Sequence, residues 1–431
     1  MALKQSLNDW LAHLEGLHPK GQAGIELGLD RIARVKTALG QRQHCPVIVV
    51  GGTNGKGSTC ALLEAVYTAA GYRVGCYTSP HLIDYNERVR VNSAPVSDAA
   101  LCEAFARVER TRQTLGDVAL TYFEFGTLAA WEVFAAASVE VAILEVGLGG
   151  RLDAVNVYDP DCAVVTGVAL DHTDWLGDTR EAIGFEKAGI FRAARPAVCA
   201  DPEPPQSLIL HAEAIGAQLM CVGRDYSAKA LGDSWRWSGP QGLVEDGLPL
   251  PALPGAWQLN NAATVRLVVE LLSPRLPVAH GPLCHGLRNP KLAGRFQVWP
   301  GRPAVILDVA HNPQAAMGLA ANLGSQGGFS RTLGVVGMLA DKDIEGTLAA
   351  LAPAIDQWFL ADLEVPRGAR AERLAEVLRA LPDCGAISCC ASPIEALARA
   401  AKQADENDRI VVCGSFFTVA SALRELRCSS H

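Results

Sequence analysis

The chain has 431 residues, 49% of them hydrophobic, and a formal net charge of −8. That length and apolar content support two domains, the commoner outcome for enzyme-like α/β chains, and the acidic balance excludes a nucleic-acid binder, which needs a basic surface. No apolar run spans a bilayer, the N-terminus lacks a signal-peptide layout, and thirteen scattered cysteines without a CxxC pair exclude a disulfide framework, so a cytoplasmic protein is expected.

Leu3, Leu7, Trp10, Leu11, Leu14 and Leu17 recur at helical spacing and predict an amphipathic first helix. A second is expected near Leu29 to Leu39, after Gly24-Ile25-Glu26-Leu27-Gly28. Both read as helices packed over the first sheet. The β-branched run Val47-Ile48-Val49-Val50 then stops in Gly51-Gly52-Thr53-Asn54-Gly55-Lys56-Gly57-Ser58-Thr59 and opens into a helix at Ala61-Leu62-Leu63. Strand, glycine-rich loop and helix together form a phosphate cradle, because glycines let successive amides turn inward and a helix N-terminus attracts anions. Lys56 is placed to reach the outer phosphates and Ser58 to put its hydroxyl on Mg²⁺. Gly57 separates the lysine from the serine, which departs from the usual pattern and argues against a generic GTPase loop.

Arg73 to Tyr77 reads as a second strand, ending in Thr78-Ser79-Pro80-His81-Leu82 at the edge where open α/β sheets place ligands. Glu87 to Val91 alternates and predicts a short strand, followed by helices near Asp98–Thr111 and Tyr122–Ala136. Val141 to Val146 is a buried strand whose only charge is Glu145, an acid suited to a Mg²⁺-linked role beside a phosphate loop. Gly147 to Asp153 follows as a loop. A further strand, Cys162 to Gly167, leads to Asp171-His172-Thr173, which puts His172 on the edge that carries Ser58 and Glu145.

Lys187 stands at a mostly apolar helix end, in Glu186-Lys187-Ala188-Gly189-Ile190, and Pro196 to Ala200 makes one more strand. Trp235 to Pro251 reads as loops and short strands. His280, Cys284 and His285 have no common metal spacing and are assigned core or surface roles. A composition shift near Leu287 to Arg295 marks the domain boundary. Beyond it, strands at Ala304–Asp308, Thr332–Gly337, Trp358–Ala361 and Arg409–Cys413 alternate with helices from Pro313, Asp343, Ala371, Pro393 and Phe416. This is a small Rossmann-like domain.

Seven ordered motifs now stand in the chain. They are Gly52 to Ser58, Ser79 to Leu82, Thr121 to Glu124, Glu145 to Asp153, Asp171 to Thr173, Glu186 to Ile190 and Asp308 to Pro313. Together they resemble the bacterial bifunctional dihydrofolate synthase/folylpolyglutamate synthases of the Mur ligase superfamily, over nearly the whole chain. The resemblance implies an α/β fold with a P-loop-containing, ATP-binding Mur-ligase-type central domain over residues 1–292. It also implies a C-terminal Rossmann-like domain over 293–431, with catalysis at the domain interface. The implied reaction joins L-glutamate to dihydropteroate and to reduced folates, using ATP, Mg²⁺ and a monovalent cation such as K⁺. A cytoplasmic monomer is expected.

By the same resemblance, Asn54, Gly55, Lys56, Gly57, Ser58, Thr59, Asn261, Arg295 and Asp308 would bind ATP. Ser58, Glu145, His172 and Lys187 would hold the metal, with Lys187 as a carbamate. Lys56, Lys187 and His311 would act in catalysis. Ser79, Pro80, His81, Arg88, Thr121, Phe123, Arg151 and Asp153 would meet the pteroate or folate. A cell-wall Mur ligase is the rival within the class, but only about fifty residues precede the phosphate loop, too few for the extra nucleotide-binding domain such an enzyme carries. A non-catalytic nucleotide-binding module is the rival outside it, and the lysine, acid and histidine set argues against that.

Overall fold

The computed structural model describes residues 6–18, 25–382 and 384–429. Leu3 of the first expected helix and Gly24 lie outside them. The helix is seen from Leu7 to Leu17, opened by a capping box in which Ser6 and Asp9 exchange side-chain and backbone hydrogen bonds. Close contacts divide the chain into two compact units, Met1–Ala252 with Gln258–Lys291, and Leu253–Trp257 with Leu292–His431.

The first unit is built on eight strands: β1 (Val47–Gly51), β2 (Val74–Tyr77), β3 (Val89–Val91), β4 (Ala94–Pro95), β5 (Val141–Glu145), β6 (Cys162–Val165), β7 (Pro196–Cys199) and β8 (Gln218–Cys221). Their order is β4-β3-β2-β5-β1-β6-β7-β8, parallel except at β3 and β4. A parallel sheet is covered on both faces, so its central strand reads as an unbroken apolar run. Along β1 the alternation is visible in depth. Val47 and Val49 enter the cluster holding Tyr77 and Trp131, while Ile48 and Val50 enter the one holding Leu62, Trp235 and Trp237. After β5 the chain crosses β1 to build β6. Loops leaving the C-terminal ends on either side of that crossing open a crevice where this architecture binds ligands.

Several boundaries differ from the sequence reading. The phosphate-loop helix runs Lys56–Ala69, five residues ahead of the apolar run that predicted it, because its first turn is polar and carries no periodicity. Of the strand expected over Glu87–Val91 only Val89–Val91 is paired, because Glu87 and Arg88 end a 3₁₀ turn, Tyr85–Arg88. Glu87 causes this: its carboxylate accepts the amides of Leu82, Ile83 and Asp84 at 2.7, 3.0 and 3.1 Å. Residues 227–249 form an antiparallel sheet of β9 (Ser227–Leu231), β10 (Ser234–Ser238) and β11 (Val244–Pro249); the last two are the short strands expected within Trp235–Pro251, and β9 precedes that stretch.

The second unit has six strands: β12 (Gln297–Trp299), β13 (Ala304–Leu307), β14 (Thr332–Val336), β15 (Gln357–Ala361), β16 (Ala386–Cys390) and β17 (Arg409–Cys413). Their order is β12-β13-β17-β14-β15-β16, with only β12 antiparallel. The edge strands β8, β12 and β16 escaped the sequence reading because edge positions are half exposed and lack a continuous apolar run. No described helix is long and apolar enough to cross a membrane.

Candidate active site

The phosphate loop is shaped by its backbone and locked by the segment after β6. Gly52 has φ +140° and Gly55 has φ +88°, and a Cβ on Gly52 would fall 2.0 Å from Thr166 Oγ1. Thr166 Oγ1 donates to the carbonyls of Gly51 and Asn54, at 3.2 and 2.6 Å. The Thr53 amide donates to Gly167 O at 2.7 Å, and Thr53 Oγ1 exchanges hydrogen bonds with the backbone of Ala169. Gly55 caps the helix, so the amides of its first turn, from Lys56 through Ser58, lack carbonyls within the helix and suit an anion. Lys56 Nζ crosses the loop, donating to Gly52 O at 2.9 Å and Thr53 O at 3.1 Å.

Ser58 and Thr59 are buried behind the loop. Gln258 Nε2 donates to Ser58 Oγ at 3.2 Å, and Asn261 Nδ2 donates to Gln258 Oε1 at 3.0 Å. The adjacent asparagines differ in role. Asn261 is buried against the loop, whereas the Asn260 carbonyl accepts the Thr264 hydroxyl within the helix Ala256–Leu272. Gln258 carried no local sequence signal, since its partner is 200 residues away.

Beside the loop lies a group of buried charges. Glu145 ends β5, is paired in register with Val50, and accepts the Ser79 amide at 3.1 Å. Lys187 is buried in the last turn of the helix Arg180–Ala188. Burial lowers its pKa to about 7, with the Lys56 charge acting the same way and Asp171 and Asp153 opposing. Burial raises the Asp153 carboxyl to about 7, against the amides of Leu148, Val155 and Gly147 and the charge of Lys56. Lys56, Lys187, Asp153 and Asp171 thus share one electrostatic neighbourhood. His172 has left-handed backbone at φ +52°, its amide bound to its neighbour's Asp171 Oδ1 at 2.9 Å, and its side chain is about one-third exposed. Among the described residues no three His, Cys, Asp or Glu side chains cluster tightly enough to hold a metal alone. The expected ligand set, drawing on Ser58 and Lys187 as well, does not need such a cluster.

The expected substrate residues stand in the loops after β2 and β5, in the 3₁₀ turn Tyr85–Arg88 and at the start of the helix Tyr122–Ala136. Arg88 Nε donates to His81 Nδ1 at 2.8 Å, and its guanidinium lies 5.3 Å from the Tyr85 ring and 5.6 Å from the Tyr122 ring. Ser79 and Pro80 precede this cluster in the same loop. Thr121 caps the helix Tyr122–Ala136 reciprocally with Glu124, which also receives Arg31 at 3.2 Å. Phe123 stacks on Tyr77 with centroids 5.6 Å apart, and its ring lies 2.8 Å from where a Gly147 Cβ would be. Asp153 has a holding role that the sequence did not disclose: it accepts the amides of Leu148 and Val155 and fixes the Gly147–Asp153 loop. Arg151 pairs with Glu186 at 2.8 Å, next to Lys187.

In the second unit, Asp308 follows β13 and accepts the amides of Phe296 and Ala310, both at 2.8 Å. Desolvation raises its carboxyl, with Arg295 opposing. The Arg295 guanidinium lies 5.3 Å from the Phe416 ring, and the His311 ring is 6.1 Å from Phe416. His311 Nδ1 is 2.8 Å from Val309 O, which leaves Nε2 facing away from that contact. Arg295, Asp308 and His311 are therefore gathered at one end of this unit's sheet, with Phe416 an unforeseen centre.

Residues 50–232 match the Mur ligase middle domain and residues 294–416 the Mur ligase, glutamate ligase domain. The chain is 46% identical over 418 residues to a dihydrofolate synthase/folylpolyglutamate synthase of Escherichia coli K12, covering 97% of this chain and 94% of that one. Its structure resembles E. coli FolC in complex with DHPP and ADP, with TM-score 0.92, 44% identity and coverage of 100% and 99%. It also resembles a bifunctional folylpolyglutamate synthase/dihydrofolate synthase with Mn, AMPPNP and L-glutamate bound, with TM-score 0.89, 44% identity and coverage of 99% of each chain. The chain belongs to the dihydrofolate synthase/folylpolyglutamate synthase family of the Mur ligases.

Proposed function

We propose that this chain is an ATP-dependent C–N ligase that adds L-glutamate to dihydropteroate, making dihydrofolate, and to reduced folates, making folylpolyglutamates. The single observation that carries the reading is a phosphate loop of this family's form whose lysine shares its electrostatic surroundings with a buried second lysine, Lys187, and the acid Asp153. A carboxylate oxygen is a poor leaving group, so amide formation needs activation. The pteroate or folate carboxylate attacks the γ-phosphorus, forming an acyl phosphate and releasing ADP. The glutamate amine then adds to the acyl carbon, and the tetrahedral intermediate expels inorganic phosphate as the amine loses its proton. Lys56 and the first-turn amides offset charge on the transferring phosphoryl group. Arg295 and Asp308 serve the nucleotide, a role checked by a raised apparent KM for ATP in Arg295→Ala.

In this reading residues 1–292 are the ATP-binding domain and 293–431 the Rossmann-like domain. Ser58, Glu145, His172 and Lys187 would hold Mg²⁺, which would supply positive charge to offset that of the phosphates. The residues fit: a buried carboxylate and hydroxyl beside the loop are hard oxygen donors. Lys187 fits as a carbamate, its amine taking up CO₂ with loss of one proton, and a buried lysine next to Lys56 favours the neutral amine this needs. Ser79, Pro80, His81, Arg88, Thr121, Phe123, Arg151 and Asp153 serve the pterin-bearing substrate. The K⁺ dependence expected from the family is tested by activity in KCl against NaCl. A cytoplasmic monomer is tested by cell fractionation and light scattering.

Phosphate release is the direct test of ligase chemistry. It should be efficient only when pteroate or folate and glutamate are both present. Release with ATP alone at the same rate would make the chain an ATPase rather than a ligase, and no release under any condition would return it to the class of non-catalytic nucleotide-binding modules.

A further inference from the structure

Arg90 stands in β3 opposite Cys76 of β2, and its guanidinium meets four residues. Nε and Nη2 both meet Glu64 Oε2, at 2.9 and 2.8 Å. Nη1 donates to Thr78 Oγ1 and to the Glu87 carbonyl, each at 3.0 Å. Nη2 also lies 3.2 Å from Cys76 Sγ. The other Glu64 oxygen accepts the Ser93 amide at 3.1 Å. Both side chains are enclosed, Arg90 at 11% exposure and Glu64 at 2%. Glu64 lies two turns beyond Lys56 on the phosphate-loop helix.

The two residues that Nη1 reaches are the two ends of the Thr78–Glu87 loop. Within it, Glu87 holds the amides of Leu82, Ile83 and Asp84, and Ser79 donates to Glu145. The loop thus has no regular secondary structure until its 3₁₀ turn, yet it is held at its middle by Glu87 and at both ends by Arg90. Arg88, two residues before Arg90 and the last residue of the 3₁₀ turn, meets His81, Tyr85 and Tyr122.

We propose that Arg90 is a positioning residue that clamps both ends of the Thr78–Glu87 loop to the phosphate-loop helix through Glu64, setting the loop for the pteroate or folate substrate. It touches no substrate; it acts through Thr78 and Glu87. The inference rests on the reading of that loop as a substrate loop. A planar fork is required, because a lysine ammonium is a single point charge that keeps the bond to Glu64 but does not span to both loop ends.

The test is the Arg90→Lys enzyme, assayed by glutamate ligation with each substrate varied in turn. The KM for dihydropteroate and for reduced folate should rise about tenfold, while the KM for ATP changes less than twofold. Thr78→Val, which removes one tie and no charge, should raise the same KM about threefold, and it decides the question if Arg90→Lys does not fold. Unchanged folate KM in the folded variants, or equal rises for folate and ATP, overturns the clamp. Arg88→Ala separates the two levels: it should raise folate KM whether or not the clamp exists. If it does not, the substrate-loop reading itself fails and the clamp falls with it.

Discussion

Asn261 stands directly against Gly55: a Cβ added to that glycine would lie 3.1 Å from Asn261 Oδ1 and 3.4 Å from Thr166 Cβ. Two segments far apart in sequence thereby close on the residue that opens the phosphate-loop helix. The close approach and the positive φ make the same demand, and only glycine meets both.

Gly55→Ala should therefore weaken the enzyme twice over. Left-handed backbone costs an alanine roughly 1–2 kcal/mol, and the contact with Asn261 must also give. Thermal unfolding should drop by several degrees, and the apparent KM for ATP should rise about tenfold. A variant with the parent's melting temperature and KM would show that the loop does not depend on this conformation.

Lys56→Ala should cut kcat by roughly a hundredfold or more while changing ATP affinity far less. The backbone amides still grip the phosphates, but charge that develops on transfer loses its partner. Steady-state kinetics with direct nucleotide binding separates the two effects. Equal losses in both would assign the lysine to binding alone.

Lys187→Ala should have low activity, partly restored by short carboxylic acids that stand in for the carbamate. The measurement is a titration of such acids against ligation rate. Full activity without them, or no recovery at any concentration, counts against the carbamate.

Asp153 gives a pH prediction with a definite sign. Its folded pKa, raised by burial to about 7, lies above the unfolded value of 3.8. Between these values the unfolded chain has released a proton that the folded chain retains. Stability from this group is therefore lost as pH rises from about 4 to about 7 and is flat above, a cost on the order of 4 kcal/mol. Asp153→Asn removes the titration. Urea unfolding of the metal-free, nucleotide-free proteins should show the variant gaining on the parent across pH 4–7. A constant difference over that range would contradict the buried acid.

What could be read from the chain beforehand was what is written locally. The phosphate loop was legible because the apolar run, glycines and lysine are contiguous, and the fold class because buried parallel strands are continuous apolar stretches. Edge strands such as β16 were not, since their half-exposed residues lack that run. Nor was Gln258 against Ser58, or Glu64 against Arg90, because such pairs come into contact only once the sheet has formed. The Glu87 carboxylate shortened the expected strand by drawing its first two residues into a turn, through three backbone bonds that no periodicity encodes.

The central claim is tested most directly by ATP-dependent ligation of labelled L-glutamate, comparing dihydropteroate with a reduced folate as the acceptor. The account expects both to be used, each with one phosphate released per glutamate joined and neither without ATP. Turnover of reduced folate alone would contradict the dihydrofolate synthase half, and turnover of neither would contradict the account as a whole.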